Sequence, residues 1–412
     1  MQKVVERSYT GMFKDRRLAI IFLIVLLDVV VGSATGPVRP EFVKDLSNPE
    51  WWLSVGTALF LGVQLISAPL LGKLSDSVGR KPLVLVSAVG TLAANLLLIP
   101  IKAGFFFANR ISDGLTNGMY ALMRSSVTDL SPDDELAKNS GYISTLVSLG
   151  HVFGPMVAGL ALFFVNDKSS QAKLVVWVLI ALSVVNVGVV LLMSETTKQR
   201  TKLDWRAVWQ EVGTNLNVAK LWKRLSDKDR EHPGFRFLTI LMLLATLQLG
   251  YQTYFITYLA LSPLKFDAQK ISFFFVYFGG LSALSNLLYF KYLVNKLNKR
   301  LVLIVATVVG VGMQLIYANV GTSLPLLYGA VAVDALLVSL VSGLLNGFLA
   351  KLTTDEDRGE LFGLNQALTG IASLLTTLAY GGLSTIHLSL PFYWFAASLA
   401  ALGTLCWRLP KE

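Results

Sequence analysis

Leu18-Ala19-Ile20-Ile21-Phe22-Leu23-Ile24-Val25-Leu26-Leu27-Asp28-Val29-Val30-Val31-Gly32 is an aliphatic run broken by one carboxylate. A helix needs about 20 such residues to cross roughly 30 Å of hydrocarbon. A charge at the centre of a span costs about 2.5–3.5 kcal/mol on insertion scales, so Asp28 reads as a functional group inside a membrane helix. Outward from this run, the first window covers about 18–38. Eleven more follow, near 52–71, 83–101, 104–128, 140–165, 173–193, 236–261, 271–294, 301–319, 325–350, 360–385 and 391–408. They are continuous and about twice the length of a ten-residue barrel strand, so they predict helices.

The composition agrees. Of 412 residues, 54% are hydrophobic and 15% charged, where a soluble domain has about a quarter charged. Disorder, collagen and a disulfide scaffold are excluded by the same figures. Cys406 is the single cysteine and has no internal partner. Three scattered histidines offer no metal site, and no cofactor is expected.

Lys14, Arg16 and Arg17 precede the first window, and Gly32-Ser33-Ala34 is a small-residue patch. Asp28 within the run, and Pro37 and Pro40 after it, argue against a cleaved leader. With the N-terminus placed inside, 27 of the 36 Lys and Arg fall on the inner side and 7 on the outer. That bias predicts a multi-pass protein of the cytoplasmic membrane with both termini cytoplasmic. The net charge of +10 is thereby a topology signal, and no nucleic-acid partner is needed.

One inner loop is long. Residues 195–235 carry Trp205, Trp209, Val212 and Leu216 at helical spacing, then Lys220, Lys223 and Arg224. This predicts an amphipathic helix on the inner membrane surface. The expected fold is therefore all-α: twelve transmembrane helices as two six-helix bundles around a central cavity. Residues 1–194 form one bundle, 195–235 the linker and 236–412 the other, a recurrent plan for transporters. A monomer is expected.

Three stretches carry a family resemblance. Loop 2–3 reads Gly72-Lys73-Leu74-Ser75-Asp76-Ser77-Val78-Gly79-Arg80-Lys81-Pro82. Its glycines allow a tight turn and close approach, and Asp76 can accept from Arg80. Span four begins Arg110-Ile111-Ser112-Asp113-Gly114, and Asp129 closes its inner end. Span five contains Gly150-His151-Val152-Phe153-Gly154-Pro155-Met156-Val157-Ala158-Gly159, where small residues permit tight packing and Pro155 a kink. Together these resemble the signature loop, the RxxxGxxxG segment and the antiporter motif of the major facilitator superfamily. Leu27-Asp28 through Pro40, and Asp355 through Gly363, are similar to its drug/proton antiporter branch, which includes tetracycline exporters.

The resemblance implies that loop 2–3 latches the inner ends of the bundles. Its second-half copy, Lys291 through Arg300, has Asn295 in place of the Asp and Asn298 in place of the Gly. Ala158 replaces one motif glycine. The acidic residues of tetracycline exporters in spans three and nine are absent from Ala94-Asn95 and Thr307-Val308-Val309, which argues against tetracycline as solute.

Candidate site residues follow from charge within the spans. Asp28, Asp113 and Asp334 are the proton-coupling candidates, since a carboxyl in low dielectric can alternate between neutral and charged. On a straight helix, Arg110, Asp113, Asn117, Tyr120 and Arg124 share one face of span four. Arg110, Asn117 and Arg124 are substrate-binding candidates. In the second half the neutral faces carry Gln248, Tyr251, Gln252, Phe255 and Tyr258 in span seven. Ser282 and Asn286 lie in span eight, and Gln366 and Ser373 in span eleven. His151 is expected on a glycine-rich packing surface.

The function expected is secondary active transport by alternating access, with protons, a small-molecule substrate and the bilayer as partners. The leading reading is proton-coupled export of amphipathic organic solutes. The alternative is transport of an anionic solute or anionic lipid through Arg110 and Arg124. An enzyme is not expected, because no nucleophile–base constellation and no strand-borne glycine loop occurs.

Overall fold

The computed structural model describes residues 15–410, apart from 166, 198–199, 248–250, 295 and 354–356. It is 83% helix. The helices in chain order are α1 (Arg16–Ala34), α2 (Arg39–Val43), α3 (Pro49–Val78), α4 (Arg80–Leu96), α5 (Ala103–Thr116) and α6 (Met119–Leu130). Next come α7 (Asp133–Leu162), α8 (Lys168–Leu191), α9 (Trp205–Asn215), α10 (Val218–Glu231), α11 (Phe235–Thr246) and α12 (Tyr251–Leu261). The last are α13 (Ala268–Leu288), α14 (Lys299–Ala318), α15 (Leu324–Leu337), α16 (Leu340–Leu352), α17 (Arg358–Ile386) and α18 (Leu390–Cys406).

Twelve spans are accounted for among the described residues. Two of them are helix pairs: α5 and α6 form span four, and α15 and α16 span ten; span seven holds α11 and α12 on either side of residues outside the described ones. The others are single helices, and Pro69 and Pro155 lie inside unbroken 30-residue helices. Asp15 begins α1, accepting the Arg17 N–H at 2.8 Å, the side-chain cap that a helix N-terminus needs.

Span four departs from the expected straight helix. It stops at Thr116, passes through Asn117 (φ −77°, ψ 75°) and restarts after Gly118. Asn and Gly are both weak helix formers. A methyl on Gly118 would also lie 2.8 Å from Leu71 Cδ1, so the tight seat of Leu71 suits only glycine. The five-residue stripe is thus divided, with Arg110 and Asp113 on α5 and Tyr120 and Arg124 on α6. The linker departs too. It forms two helices, because Asn217 interrupts the first and caps the second by accepting the Lys220 N–H at 3.0 Å.

Two compact units emerge. The first gathers residues up to 42 with 66–212, and the second gathers 43–65 with 213–412. The core of the first is aliphatic, built from Ile21, Ile24, Val84, Leu122 and Ile143. The second has an aromatic core of Phe255, Tyr258, Phe274, Tyr317 and Phe392. In the second unit the first part of α3 packs tightly on α17. Methyls on Gly370 and Gly381 would reach 2.9 Å from Leu65 and 2.5 Å from Ser54.

Candidate functional site

The first unit concentrates charge at membrane depth. Asp28 on α1 lies within electrostatic reach of Asp113 on α5. Asp113 is in turn within reach of Arg110 and Arg39, and its carboxylate accepts from Thr91 Oγ1 at 3.2 Å. Arg39, at the start of α2, donates to Thr35 Oγ1 at 3.0 Å and interacts with Arg110 and His151. Among the described residues no hydrogen bond or ion pair fixes the Asp28 carboxylate.

Arg110 is buried, at 7% exposure. Asn109 orients it. The Asn109 amide nitrogen donates to the Ala94 carbonyl at 2.7 Å, and its oxygen accepts Arg110 Nε at 2.7 Å. The guanidinium also lies 5.7 Å from the Phe106 ring centre, a favourable seat for a cation. Arg124 is exposed and stands 5.6 Å from the centre of its neighbour Tyr120. Asn117 sits in the break itself.

The antiporter-like stretch of α7 packs on α1. Ser33 Oγ donates to the Gly150 carbonyl at 2.9 Å. A methyl on Gly150 would sit 2.7 Å from Val29, and one on Gly154 would sit 2.7 Å from the Val30 carbonyl. Pro155, Ala158 and Gly159 are buried along the same helix. His151 departs from its expected place: it is exposed, because the face carrying Gly150 and Gly154 is taken up by α1.

Loop 2–3 forms a polar clasp within the first unit. Arg80 pairs with Asp76 at 2.6 Å and with Asp129 at 3.1 Å, and also donates to Ser75. Gly79 has φ +119°, and a methyl there would overlap the Glu195 carboxylate, so glycine is required. Gly72 is different: a methyl there would meet nothing within 4 Å, and its carbonyl accepts Ser75 Oγ at 2.6 Å. Lys81 Nζ donates to the Leu191 carbonyl at 3.0 Å.

Glu195 escaped the sequence reading. It accepts the Arg80 N–H at 2.8 Å and the Lys81 N–H at 3.3 Å, capping α4. Burial opposes its charge, but N–H donors of Thr197, Arg80 and Thr196 outweigh that and hold its carboxyl below the usual value.

The sequence profile of the Major Facilitator Superfamily matches residues 21–377. The chain belongs to this superfamily. It is 29% identical over 206 residues to the class H tetracycline resistance protein of Pasteurella multocida, spanning 49% of this chain and 50% of that one. This chain thus spans about half the length of that relative. It is 23% identical over 401 residues, 95% of each chain, to the quinolone resistance protein NorA of Staphylococcus aureus. The crystal structure of the human organic anion transporter MFSD10 (TETRAN) superposes with a TM-score of 0.68 at 18% identity, covering 95% of this chain and 99% of that one. As a member of the major facilitator superfamily, the protein is a multi-pass membrane protein, and its relatives include tetracycline and quinolone resistance proteins.

In the second half of this facilitator fold, Asp334 is buried at 2% exposure and accepts from Tyr317 OH at 3.1 Å. Tyr258 OH donates to the Tyr317 carbonyl at 3.0 Å. Phe255 lies in the same aromatic core, its ring centre 5.0 Å from that of Tyr317. Asn286 donates to Ser339 Oγ at 3.2 Å and to the Ser282 carbonyl at 2.8 Å. Ser373 is buried and donates to the Thr369 carbonyl at 2.8 Å, whereas Gln366 is exposed. Gln248 and the side chains of Tyr251 and Gln252 lie outside the described residues. So does Asn295 of loop 8–9. Asn298, standing where the first-half loop has a glycine, caps α14 by accepting the Leu301 N–H at 3.0 Å.

Proposed function

We propose that the protein exports amphipathic organic solutes in exchange for protons, by alternating access of two six-helix bundles, residues 1–194 and 236–412. The observation that carries this reading is the Asp28–Asp113 pair, two carboxyl groups within electrostatic reach at membrane depth. Proton exchange needs a carboxyl group that can pass between its neutral and charged forms. Asp28 is the proton carrier, since no hydrogen bond among the described residues commits its charge state. Arg110, held by Asn109, balances the remaining carboxylate. Asp334 is the corresponding acid of the second half.

The solute site is drawn from Arg110, Asn117 and Arg124, together with Gln248, Tyr251, Gln252, Phe255, Ser282, Asn286, Gln366 and Ser373. The drug-resistance relatives support an organic solute. The Lys and Arg bias supports an inner-membrane protein with both termini cytoplasmic. Proton-driven uptake of fluorescent organic cations into inverted vesicles tests the assignment. Asp28→Asn is expected to abolish uptake driven by a pH gradient while leaving solute binding in place. Unchanged gradient-driven uptake would remove Asp28 from the mechanism.

A second reading, an anionic solute, is favoured by the closeness of Arg39 and Arg110. Two cations within reach of each other suit a divalent anion. Arg110→Gln losing binding of organic anions but not of organic cations would favour it over the first.

A further inference from the structure

The linker between spans six and seven carries positive charge that finds no ion-pair partner among the described residues. Taken by itself, α9 buries Val208 and Val212 while Trp205 and Trp209 stand 52% and 56% exposed. Taken by itself, α10 buries Leu221 and Leu225 beside Phe235 and Leu361, and Trp222 is 42% exposed. Both helices are held at the ends of spans. Glu211 of α9 pairs with Lys73 of α3 at 3.4 Å, and Lys228 of α10 with Glu360 of α17 at 3.0 Å.

The acids of this segment are engaged. Asp204 accepts the Arg206 N–H at 2.9 Å. Glu211 pairs with Lys73, Asp227 with Arg230, Asp229 with Arg236 and Glu231 with Lys228. The side chains of Arg200, Lys202, Arg206, Lys220, Lys223 and Arg224 have no ion-pair partner among the described residues.

We propose that α9 and α10 dock on the headgroups of anionic phospholipids in the leaflet that meets the linker. Exposed tryptophans at the ends of spans belong at headgroup depth, where an apolar ring and its N–H are both satisfied. Clustered Lys and Arg at that depth attract acidic headgroups over about a Debye length, roughly 8 Å at physiological salt. Charge complementarity therefore selects phosphatidylglycerol or another acidic lipid over a zwitterionic one. The inference concerns the linker alone and holds whatever solute or ion the protein moves.

The test uses the full-length protein in mixed micelles, comparing its thermal midpoint with phosphatidylglycerol and with phosphatidylcholine. Phosphatidylglycerol is expected to raise the midpoint by several degrees more, and added salt to shrink that difference. R200Q/K202Q/R206Q and K220Q/K223Q/R224Q should each lose part of the preference, and the six-fold variant all of it. Soluble glycerophosphoglycerol should give no shift. Should the six-fold variant fail to fold, brominated lipids in nanodiscs give an independent reading. Brominated phosphatidylglycerol should quench wild-type tryptophan emission more than brominated phosphatidylcholine, and W205F/W209F/W222F should lose the difference. Equal response to the two lipids in the wild type, retention of the preference by the six-fold variant, or reproduction of the shift by the soluble headgroup would each overturn the proposal.

Discussion

Ser33 of α1 donates to the Gly150 carbonyl of α7 at 2.9 Å, and a methyl group on Gly154, one turn further along α7, would overlap the same hydroxyl. The antiporter-like motif is therefore the imprint of one helix on another. Its glycines are absences of side chain at the points where α1 passes.

Gly154→Ala is expected to lower stability by about 1–3 kcal/mol, the usual range for overpacking. Removing the Ser33 hydroxyl in Gly154→Ala/Ser33→Ala should recover only part of this, because the Val30 carbonyl and Ala34 nitrogen also crowd the site, at 2.7 and 2.8 Å. Gly188→Ala, which would meet nothing within 4 Å, is the control and should leave the midpoint unchanged or slightly raised. Thermal unfolding of the purified variants checks all three.

Glu195 should make the loop 2–3 clasp sensitive to acid. Its folded carboxyl is held below the ordinary value of 4.5. A lowered carboxyl contributes stability in full above the unfolded value and loses it as pH falls through the folded one. Wild type should therefore exceed Glu195→Gln in thermal midpoint at neutral pH, and the gap should close below about pH 4.5. A gap that persists unchanged at pH 3 would show that the charge contributes nothing.

The two span-four arginines should behave differently. Arg110 is buried and held by Asn109, and its loss leaves carboxylates without their balancing charge. Arg110→Gln is expected to reduce the transport rate at least about tenfold, equivalent to roughly 1.4 kcal/mol. Arg124 is exposed, so Arg124→Gln should stay within about twofold of wild type, as weakly coupled exposed charges do. Vesicle uptake at matched protein levels checks the pair. A defect in Arg124→Gln as large as that in Arg110→Gln would give the exposed arginine an equal share in the solute site.

The membrane spans were legible because apolar length is a property of the sequence alone. Gly79 and Gly154 were legible because a backbone close approach leaves glycine as its trace. The break at Asn117-Gly118 was not: reading a continuous face assumes an unbroken helix, and it is Leu71, from another span, that seats against Gly118. Glu195 was hidden for a related reason, lying 115 residues from the Arg80 N–H that it accepts. His151 is exposed because it is turned about 100° from Gly150, and which face of α7 meets α1 depends on where α1 lies and not on the spacing of the glycines. Asn298 looked like decay of a motif glycine, yet as a helix cap it serves a position whose backbone needs no positive φ.

The divided span four also bears on how the chain is made. Its parts are 14 and 12 residues long, about 21 and 18 Å at 1.5 Å per residue, so neither crosses the bilayer unaided. Arg110, Asp113 and Arg124 add three polar burdens to a segment with a gap at its middle. A segment so short and so charged gains by meeting partners from an earlier span, and in the folded chain Thr91 of α4 donates to Asp113 while the Ala94 carbonyl of α4 accepts from Asn109.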